Sequence, residues 1–419
     1  MNLTVLKGIK ECLTLSGARA NRGVKPTKED LGIIENAAVV FDEKIRWVGQ
    51  ERELPKEFSN EMQIDLKGAV VLPGLIDCHT HIVFAGDRSH EYAMRAERKS
   101  YRDIADAGGG ILSTVKATRE ATFDELFSLS RTRVLESMSR GITTLEIKSG
   151  YGLTVDDEIK ILKVIKKLKE ELPLTIIPTF LGAHAIPPEF KNNREKYIQI
   201  LCENLIPQVA KEKLATFCDI FIEKNYFTPD EGKQILEIAV RHGLKIKIHA
   251  EQLSNFGGAS LAAKMGAISA DHLEHLSDTD LASLKKSGVI GVLLPGAAFF
   301  LGTAYPPARK FIDHGLPIAL STDWNPGTCM TGNLMLISTI ACSQMKMTVP
   351  EVITAITFNA AQALSLTNHG FLEQGTRADL AIFGSPSYEC LPYHFSVNQI
   401  SSVFIAGKMI RRENTWETS

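Results

Sequence analysis

Residues 73–81 read Pro-Gly-Leu-Ile-Asp-Cys-His-Thr-His, an apolar strand pattern that ends in two histidines separated by one residue. On extended backbone alternate side chains point to one face, so His79 and His81 are placed to bind a single metal ion. An isolated His-x-His pair is a weak signal, because two hydrogen-bonded histidines at the end of a strand give the same pattern. The stretch therefore predicts a first strand with a possible metal site at its carboxyl end.

Seven further apolar runs follow this strand, separated by longer segments with the period of a helix, as βα units require. The eight predicted strands cover residues 69–77, 142–148, 174–180, 217–222, 244–249, 267–271, 289–294 and 316–321. They are apolar on both faces, which is typical of strands covered by helices. Capping patterns mark the starts of helices at Thr122, Thr228, Ser277 and Thr348. Eight such units predict an α/β fold, a closed (β/α)₈ TIM barrel, in preference to an open doubly wound sheet.

The two ends of the chain differ from this middle part. Both consist of short strands and turns, with predicted strands at residues 37–42, 45–48, 379–383 and 402–405. Strands at both termini with a barrel between them indicate one small domain to which both ends contribute. We expect a barrel over residues 69–366 and a composite β-sandwich domain built from residues 1–68 plus 367–419.

Composition excludes several classes of partner. The 47 Lys and Arg nearly balance the 49 Asp and Glu, so the formal charge of −2 gives no large field for binding nucleic acid or an anionic membrane. The seven Cys are odd in number and scattered, which argues against a disulfide framework. The N-terminus lacks the pattern of a signal peptide. We therefore expect a cytoplasmic protein without nucleic-acid or membrane partners.

Further candidate ligands stand at the ends of two other predicted strands. His249 and Asp323 would complete a His₃Asp set, which suits an open zinc or iron(II) site. Glu251 lies two residues beyond His249, so strand alternation places it on the same face, where it could take a proton from an attacking water. The alternative is a carboxylate that orients a histidine ligand. For His272 three roles stay open: a fifth ligand, a proton donor, or a partner of the developing oxyanion.

Two basic residues near strand ends have less decided roles. Arg88 follows the first strand closely, where a guanidinium could hold a substrate carboxylate through two hydrogen bonds, although a surface ion pair is a comparable alternative. Lys224 ends the fourth strand and raises the possibility of a carboxylated lysine bridging a second metal. Lysines that flank strands more often extend into solvent.

Several motifs together resemble the metal-dependent amidohydrolase superfamily. The resemblance extends from near residue 2 to about residue 410. The motifs shared with the superfamily as a whole are residues 73–81, His249, Asp323 and the segment Gly-Thr-Arg-Ala-Asp-Leu at 375–380. Its more specific matches are residues 84–88, 146–153, 180–184, 249–252, 270–274 and 321–328. Taken together, these segments are far more specific than the His-x-His pair.

The resemblance implies one zinc or iron ion per subunit and a small anionic substrate. The implied reaction is hydrolysis of the cyclic amide of 4-imidazolone-5-propanoate to N-formimidoyl-L-glutamate, a step of histidine degradation, in a homodimer. The implied metal ligands are His79, His81, His249 and Asp323. The implied catalytic residues are Glu251, His272 as a partner rather than a ligand, and Asp323. The implied substrate contacts are Arg88, Tyr151, His184 and Gln252, with Asn325, Gly327 and Thr328 touching the ring-opened product.

Two alternatives compete with this reaction. One is an aminohydrolase of the same superfamily, similar to guanine deaminase, in which the acidic residue follows the strand-five histidine by three positions and not by two. The other is a non-catalytic scaffold, since the superfamily includes members that have lost their metal ligands. All four expected ligands are present in this chain, which disfavours the scaffold.

Overall fold

The computed structural model describes residues 3–99, 103, 108–395 and 397–410. Within those residues, no helix is both long and apolar enough to cross a membrane. Two β-sheets organise the chain, one of eight strands and one of seven.

The eight-stranded sheet forms the predicted barrel. Its strands, in chain order and in spatial order, are β5 (Leu75–Asp77), β6 (Ile142–Lys148), β7 (Thr175–Ala183), β8 (Phe217–Ile222), β9 (Lys245–Ala250), β10 (Ser269–His272), β11 (Ile290–Leu293) and β12 (Ile318–Leu320). Neighbouring strands pair in parallel. The prediction of eight parallel strands in a barrel is confirmed.

The barrel closes where the chain leaves its first and last strands. The Asp323 amide donates to the His79 carbonyl at 3.0 Å, and the His81 amide donates to the Trp324 carbonyl at 2.9 Å. The side chain of Asp77 also accepts hydrogen bonds from Ser321 and Thr322. These contacts join β5 to β12 at their carboxyl ends, where active sites of such barrels lie.

Helices cover the barrel and begin at the expected capping residues. Thr122, Thr228 and Thr348 each form a capping box with a glutamate three residues on, and Ser277 accepts from the Asp280 amide. The helices are α1 (Ser16–Ala20), α2 (Ser89–Ala96), α3 (Ile111–Glu120), α4 (Phe123–Ser139), α5 (Val155–Glu171), α6 (Arg194–Ile200), α7 (Ile206–Lys211), α8 (Pro229–Arg241), α9 (Gly258–Met265), α10 (Asp278–Ser287), α11 (Pro295–Leu301), α12 (Ala308–Asp313), α13 (Leu334–Met345), α14 (Val349–Ala355), α15 (Phe358–Ala363) and α16 (Cys390–Tyr393).

The seven-stranded sheet is built from both chain ends. Its strands are β1 (Thr4–Leu13), β2 (Ile33–Phe41), β3 (Ile45–Gln50), β4 (Met62–Pro73), β13 (Leu380–Phe383), β14 (Ile400–Ile405) and β15 (Lys408–Ile410), in the order β15-β14-β13-β4-β1-β2-β3. Phe41 and Phe404 lie four strands apart in this order, yet their rings meet at 5.1 Å between centroids. The sheet therefore curls over its own apolar core as a small β-sandwich, while the domain bounds at 68/69 and 366/367 stay a prediction.

The start of the first barrel strand differs from the prediction. Residues 69–73 complete β4 of the terminal sheet, and the barrel strand begins only at Leu75. Gly74 separates the two strands, and its amide donates to the Asp379 carbonyl at 2.8 Å. A Cβ at this position would overlap the buried side chain of Thr143. One apolar run thus serves two sheets, because a glycine allows the chain to pass close to β6.

Gly74→Ala is expected to lower the free energy of unfolding by about 1–3 kcal/mol through overpacking against Thr143. The matched control is Gly384→Ala, where the nearest atom to an added Cβ lies at 4.0 Å and φ is ordinary. Urea unfolding of both variants measures the difference. Equal stabilities of the two variants would show that the approach at Gly74 carries no steric constraint.

Candidate metal centre and active site

The four predicted metal ligands meet at the carboxyl end of the barrel. The ligand atoms of His79, His81 and His249 all lie within 4.8 Å of one another. Asp323 Oδ1 lies 3.6 Å from Nε2 of His79 and 3.5 Å from Nε2 of His81. All four side chains are at most about 4% exposed. Residues from three separate regions of the sequence therefore converge on one buried point.

The chemistry of these side chains fits a divalent metal ion. Burial holds the pKa values of His79 and His81 well below the ordinary value, so both rings are neutral. Their Nε2 atoms lie 3.2 Å apart. Within the described part of the chain, Nε2 of His249 has no hydrogen-bond partner. A buried polar atom without a partner is costly, and a cation shared with Nε2 of His79, Nε2 of His81 and a carboxylate oxygen would satisfy it.

Buried carboxylates contact the Nδ1 atoms of two of the histidines and orient their rings. Asp271 Oδ2 accepts a hydrogen bond from Nδ1 of His79 at 2.6 Å, which leaves the lone pair of Nε2 free for a metal. Asp219 Oδ2 lies 3.1 Å from Nδ1 of His249. Such carboxylate partners fix the ring orientation and tautomer of histidine ligands.

Two lysines balance the charge of these carboxylates inside the barrel. Lys148 Nζ lies 2.8 Å from Asp219 and 2.9 Å from Glu146, and Lys247 Nζ lies 3.2 Å from Glu146. All are fully buried. Burial alone would lower the pKa of Lys148, but Asp219 and Glu146 raise it above its ordinary value. Asp219 and Lys247 were not predicted from the sequence, although a charged residue inside an otherwise apolar buried strand is a detectable signal.

A cavity of about 430 Å³ opens above the histidines. All seven predicted substrate or product contacts line it, namely Arg88, Tyr151, His184, Gln252, Asn325, Gly327 and Thr328. His81, His249, His272 and Asp323 line it as well. Arg95 is a further lining residue that sequence analysis did not single out. Its Nη2 donates to the Gly327 carbonyl at 3.0 Å.

The guanidinium of Arg88 is held in the cavity wall by Glu91. Nε and Nη2 of Arg88 donate to the two carboxylate oxygens of Glu91 at 2.8 and 2.7 Å. Gly327 packs directly against the guanidinium, because a Cβ there would overlap Nη1. The pairing orients Arg88 and leaves its remaining donors for a ligand.

Tyr151 and His184 form a neutral polar wall of the cavity. Burial raises the pKa of the Tyr151 phenol, which therefore stays protonated. Burial also lowers the pKa of His184 to about 3, so that ring is neutral. Nδ1 of His184 lies 3.0 Å from the Gly150 carbonyl, and since a carbonyl only accepts, Nδ1 carries the proton. Nε2 of His184 is then a hydrogen-bond acceptor.

The turn after the last barrel strand is stabilised by Asn325. Its Oδ1 accepts from the amides of Gly327 and Thr328, both at 2.8 Å. Its Nδ2 donates to the Asp323 carbonyl and to Thr328 Oγ1, both at 2.7 Å. The Asn325 side chain thus holds the loop that carries Asp323, the fourth predicted metal ligand.

Glu251 does not share a face with His249, and this prediction is wrong. Glu251 has φ = 52°, a left-handed conformation that breaks the alternation of the strand. Its carboxylate accepts hydrogen bonds from the amides of Gly257 and Ala259 at 2.8 and 2.7 Å, at the start of α9. Glu251 is absent from the residues lining the cavity. Neither the predicted proton transfer from water nor the orientation of a histidine ligand matches these contacts.

His272 lies in the cavity, whereas Lys224 lies on the protein surface. His272 lines the cavity, with its ring centroid 5.4 Å from that of His249 and 5.6 Å from that of His79. Burial lowers the pKa of His272, but Glu274 and Asp323 outweigh burial and raise it. Lys224 is exposed to solvent, so its side chain does not extend into the barrel to bridge a second metal.

Comparison with known proteins identifies the class. The chain belongs to the amidohydrolase family, whose model matches residues 70–410. The structure is similar to that of zinc-bound atrazine chlorohydrolase from Arthrobacter aurescens, with a TM-score of 0.72 at 17% identity over 98% of this chain and 95% of that one. Guanine deaminase from C. acetobutylicum gives a TM-score of 0.71 at 16% identity, covering 98% of this chain and all of that one. At these identities the likeness concerns the fold alone.

Relatives of higher identity narrow the class. The imidazolonepropionase of Shouchella clausii is 46% identical over 97% of this chain and 93% of its own length. Imidazolonepropionases of other bacteria are 43–46% identical over similar lengths. Within the amidohydrolases the chain is thus a member of the imidazolonepropionase family, hydrolases that act on carbon–nitrogen bonds.

Asp271→Asn is expected to weaken metal binding about 10- to 100-fold, because the charge that orients His79 is lost. Metal analysis after dialysis against graded chelator measures the change. The control is Asp379→Asn, which removes a buried carboxylate of the terminal sheet bonded to Arg377 and the Ala406 amide. Equal metal retention in both variants would contradict a role for Asp271 at the metal centre.

Glu251→Gln is expected to keep its metal and to lower kcat less than about tenfold, since its contacts are to backbone amides. Removal of a general base lowers the rate about 100- to 10,000-fold. Steady-state kinetics combined with metal analysis separates the two cases. A decrease in kcat of about 100-fold or more, with full metal content, would show that Glu251 is the general base after all.

Proposed function

We propose that the site hydrolyses the cyclic amide bond of 4-imidazolone-5-propanoate to give N-formimidoyl-L-glutamate in histidine degradation. The observation that carries the proposal is the cavity itself, in which the guanidinium groups of Arg88 and Arg95 and several neutral donors and acceptors line the space above a His₃Asp centre. Water adds to the ring carbonyl, the carbon–nitrogen bond breaks, and the departing nitrogen takes up a proton. The product gains a carboxylate from the former carbonyl.

His79, His81, His249 and Asp323 would hold one divalent ion, zinc or iron(II), since this ligand set suits both. When bound, such an ion supplies Lewis acidity that lowers the pKa of water and polarises a carbonyl. The surroundings of the site support a single ion, because the carboxylates that contact the histidines already pair with lysines: Asp219 with Lys148 and Asp271 with Lys247.

Asp323 and His272 are the residues we assign to proton transfer and charge stabilisation. Asp323 lies at the base of the cavity, and its Oδ2 accepts a hydrogen bond from Thr328 Oγ1 at 3.3 Å. It would accept the proton of the attacking water and return it to the leaving nitrogen. His272 faces the same space from β10 and would donate a hydrogen bond to the developing oxyanion.

The cavity wall supplies groups for the rest of the substrate. Arg88 would pair with the propionate. Tyr151 presents a donor and Nε2 of His184 an acceptor, which match the carbonyl and the ring N–H of a flat polar heterocycle. Gln252 offers both. Asn325, Gly327 and Thr328 would contact the ring-opened product through the turn after β12.

The cellular setting follows the same proposal. We place the enzyme in the cytoplasm as a homodimer, without nucleic-acid or membrane partners. All seven cysteines are free thiols, as a reducing compartment favours.

The direct test supplies the substrate with urocanase and follows the loss of imidazolone absorbance. The wild-type protein is expected to consume the imidazolone, to stop after chelation and to recover with zinc or iron(II). His249→Ala is expected to lose both metal and activity, whereas His242→Ala changes an exposed histidine and keeps both.

Two results would contradict the proposal. Release of ammonia from guanine without loss of imidazolone would indicate an aminohydrolase. A protein without stoichiometric metal and without activity after reconstitution would indicate a scaffold.

A further inference from the structure

Glu158 is a fully buried carboxylate in the first turn of α5, outside the set of residues used above. It accepts hydrogen bonds from three backbone amides of the preceding loop. The Gly152 and Leu153 amides donate to Oε1 at 2.7 and 3.0 Å. The Gly150 amide lies 3.1 Å from Oε2 and 3.2 Å from Oε1. One side chain thus supplies the hydrogen-bond acceptors for three backbone amides of the loop between β6 and α5.

The loop has a conformation that needs such an acceptor. Gly150 and Leu153 have φ values of 111° and 54°, and the second is costly for a branched side chain. Gly152 passes so close to the helix that a Cβ would lie 2.6 Å from the Glu158 amide nitrogen. A carboxylate is an acceptor at both oxygens, whereas an amide would direct an NH₂ group at one of the donors.

Two cavity residues depend on this loop. Tyr151 stands at its centre and lines the cavity. The Gly150 carbonyl accepts the proton of Nδ1 of His184 at 3.0 Å, which fixes Nε2 as an acceptor. The loop therefore determines where one donor is placed and which tautomer a neighbouring histidine adopts.

We propose that Glu158 is a positioning residue for substrate specificity: by binding the amides of residues 150–153 it places the Tyr151 phenol and fixes the Nδ1–H tautomer of His184. The cavity then selects a ring that offers an N–H to His184 and an acceptor to Tyr151. This inference rests on the proposed function for its substrate, but the state of His184 is a property of the free protein.

Glu158→Gln is expected to lower kcat/KM about 10- to 100-fold with metal content unchanged, because misplacement of binding groups has effects of this size. Glu351→Gln is the control. Glu351 is also buried and accepts from the Thr348 amide and Arg309, but neither of these partners lines the cavity. If Glu158→Gln does not fold, Glu158→Asp replaces it in the same measurement, because the shorter side chain keeps the charge but cannot reach the same amides.

The decisive comparison is a double-mutant cycle with Tyr151→Phe. If Glu158 acts through Tyr151 and His184, its substitution costs less in the Tyr151→Phe background than in the wild type. Full additivity, or a kcat/KM equal to that of the Glu351→Gln control, would overturn the inference.

A second readout does not require the substrate. In ¹⁵N-histidine spectra, with the His184 signals identified by their loss in His184→Asn, the wild type is expected to show the Nδ1–H form and Glu158→Gln a mixture of tautomers. An unchanged His184 signal would overturn the inference. Absence of imidazolone hydrolysis by the wild type would instead refute the proposed function, and the spectra would still decide the role of Glu158.

Discussion

The contact between the first and last barrel strands is the constraint on which the site depends. Asp77 Oδ1 accepts from the Thr322 amide at 3.0 Å, and Oδ2 accepts from Thr322 Oγ1 at 2.7 Å. Asp77 is two residues before His79, and Thr322 directly precedes Asp323. The hydrogen bonds that close the barrel therefore also bring His79 and Asp323, the first and the last predicted metal ligand, together. Asp77 is fully buried, and this burial raises its pKa to about 6 despite these hydrogen bonds.

Other loops of the active site are held by the same device, a buried carboxylate that accepts from backbone amides. Glu223 binds the amides of Leu253 and Ser254 next to Gln252, and Glu251 binds the start of α9. Glu158 does the same for the loop of Tyr151. Backbone anchoring leaves the side chains of these loops free to face the substrate while their positions stay fixed, which is what catalysis by positioning requires.

The sequence predicted the elements whose signals are local and left out those that depend on distant contacts. The eight strands, the capping boxes and the ligands at strand ends follow from periodicity and from the common edge of a parallel sheet. The face of Glu251 was wrong because a left-handed residue interrupts the strand, which no periodicity reveals. Glu158 was missed because its partners are backbone amides, whereas Asp219 was missed although a charge inside an apolar strand is a local signal; only its partner, His249, could not be inferred locally.

The central claim, a single metal ion bound by three histidines and one aspartate, is tested most directly by X-ray absorption spectroscopy of the purified, metal-loaded protein. We predict one metal per chain with three imidazole nitrogens and carboxylate oxygen in its first coordination shell. Sulfur in that shell, two metals per chain with a metal–metal distance, or fewer than three imidazoles would contradict the site described.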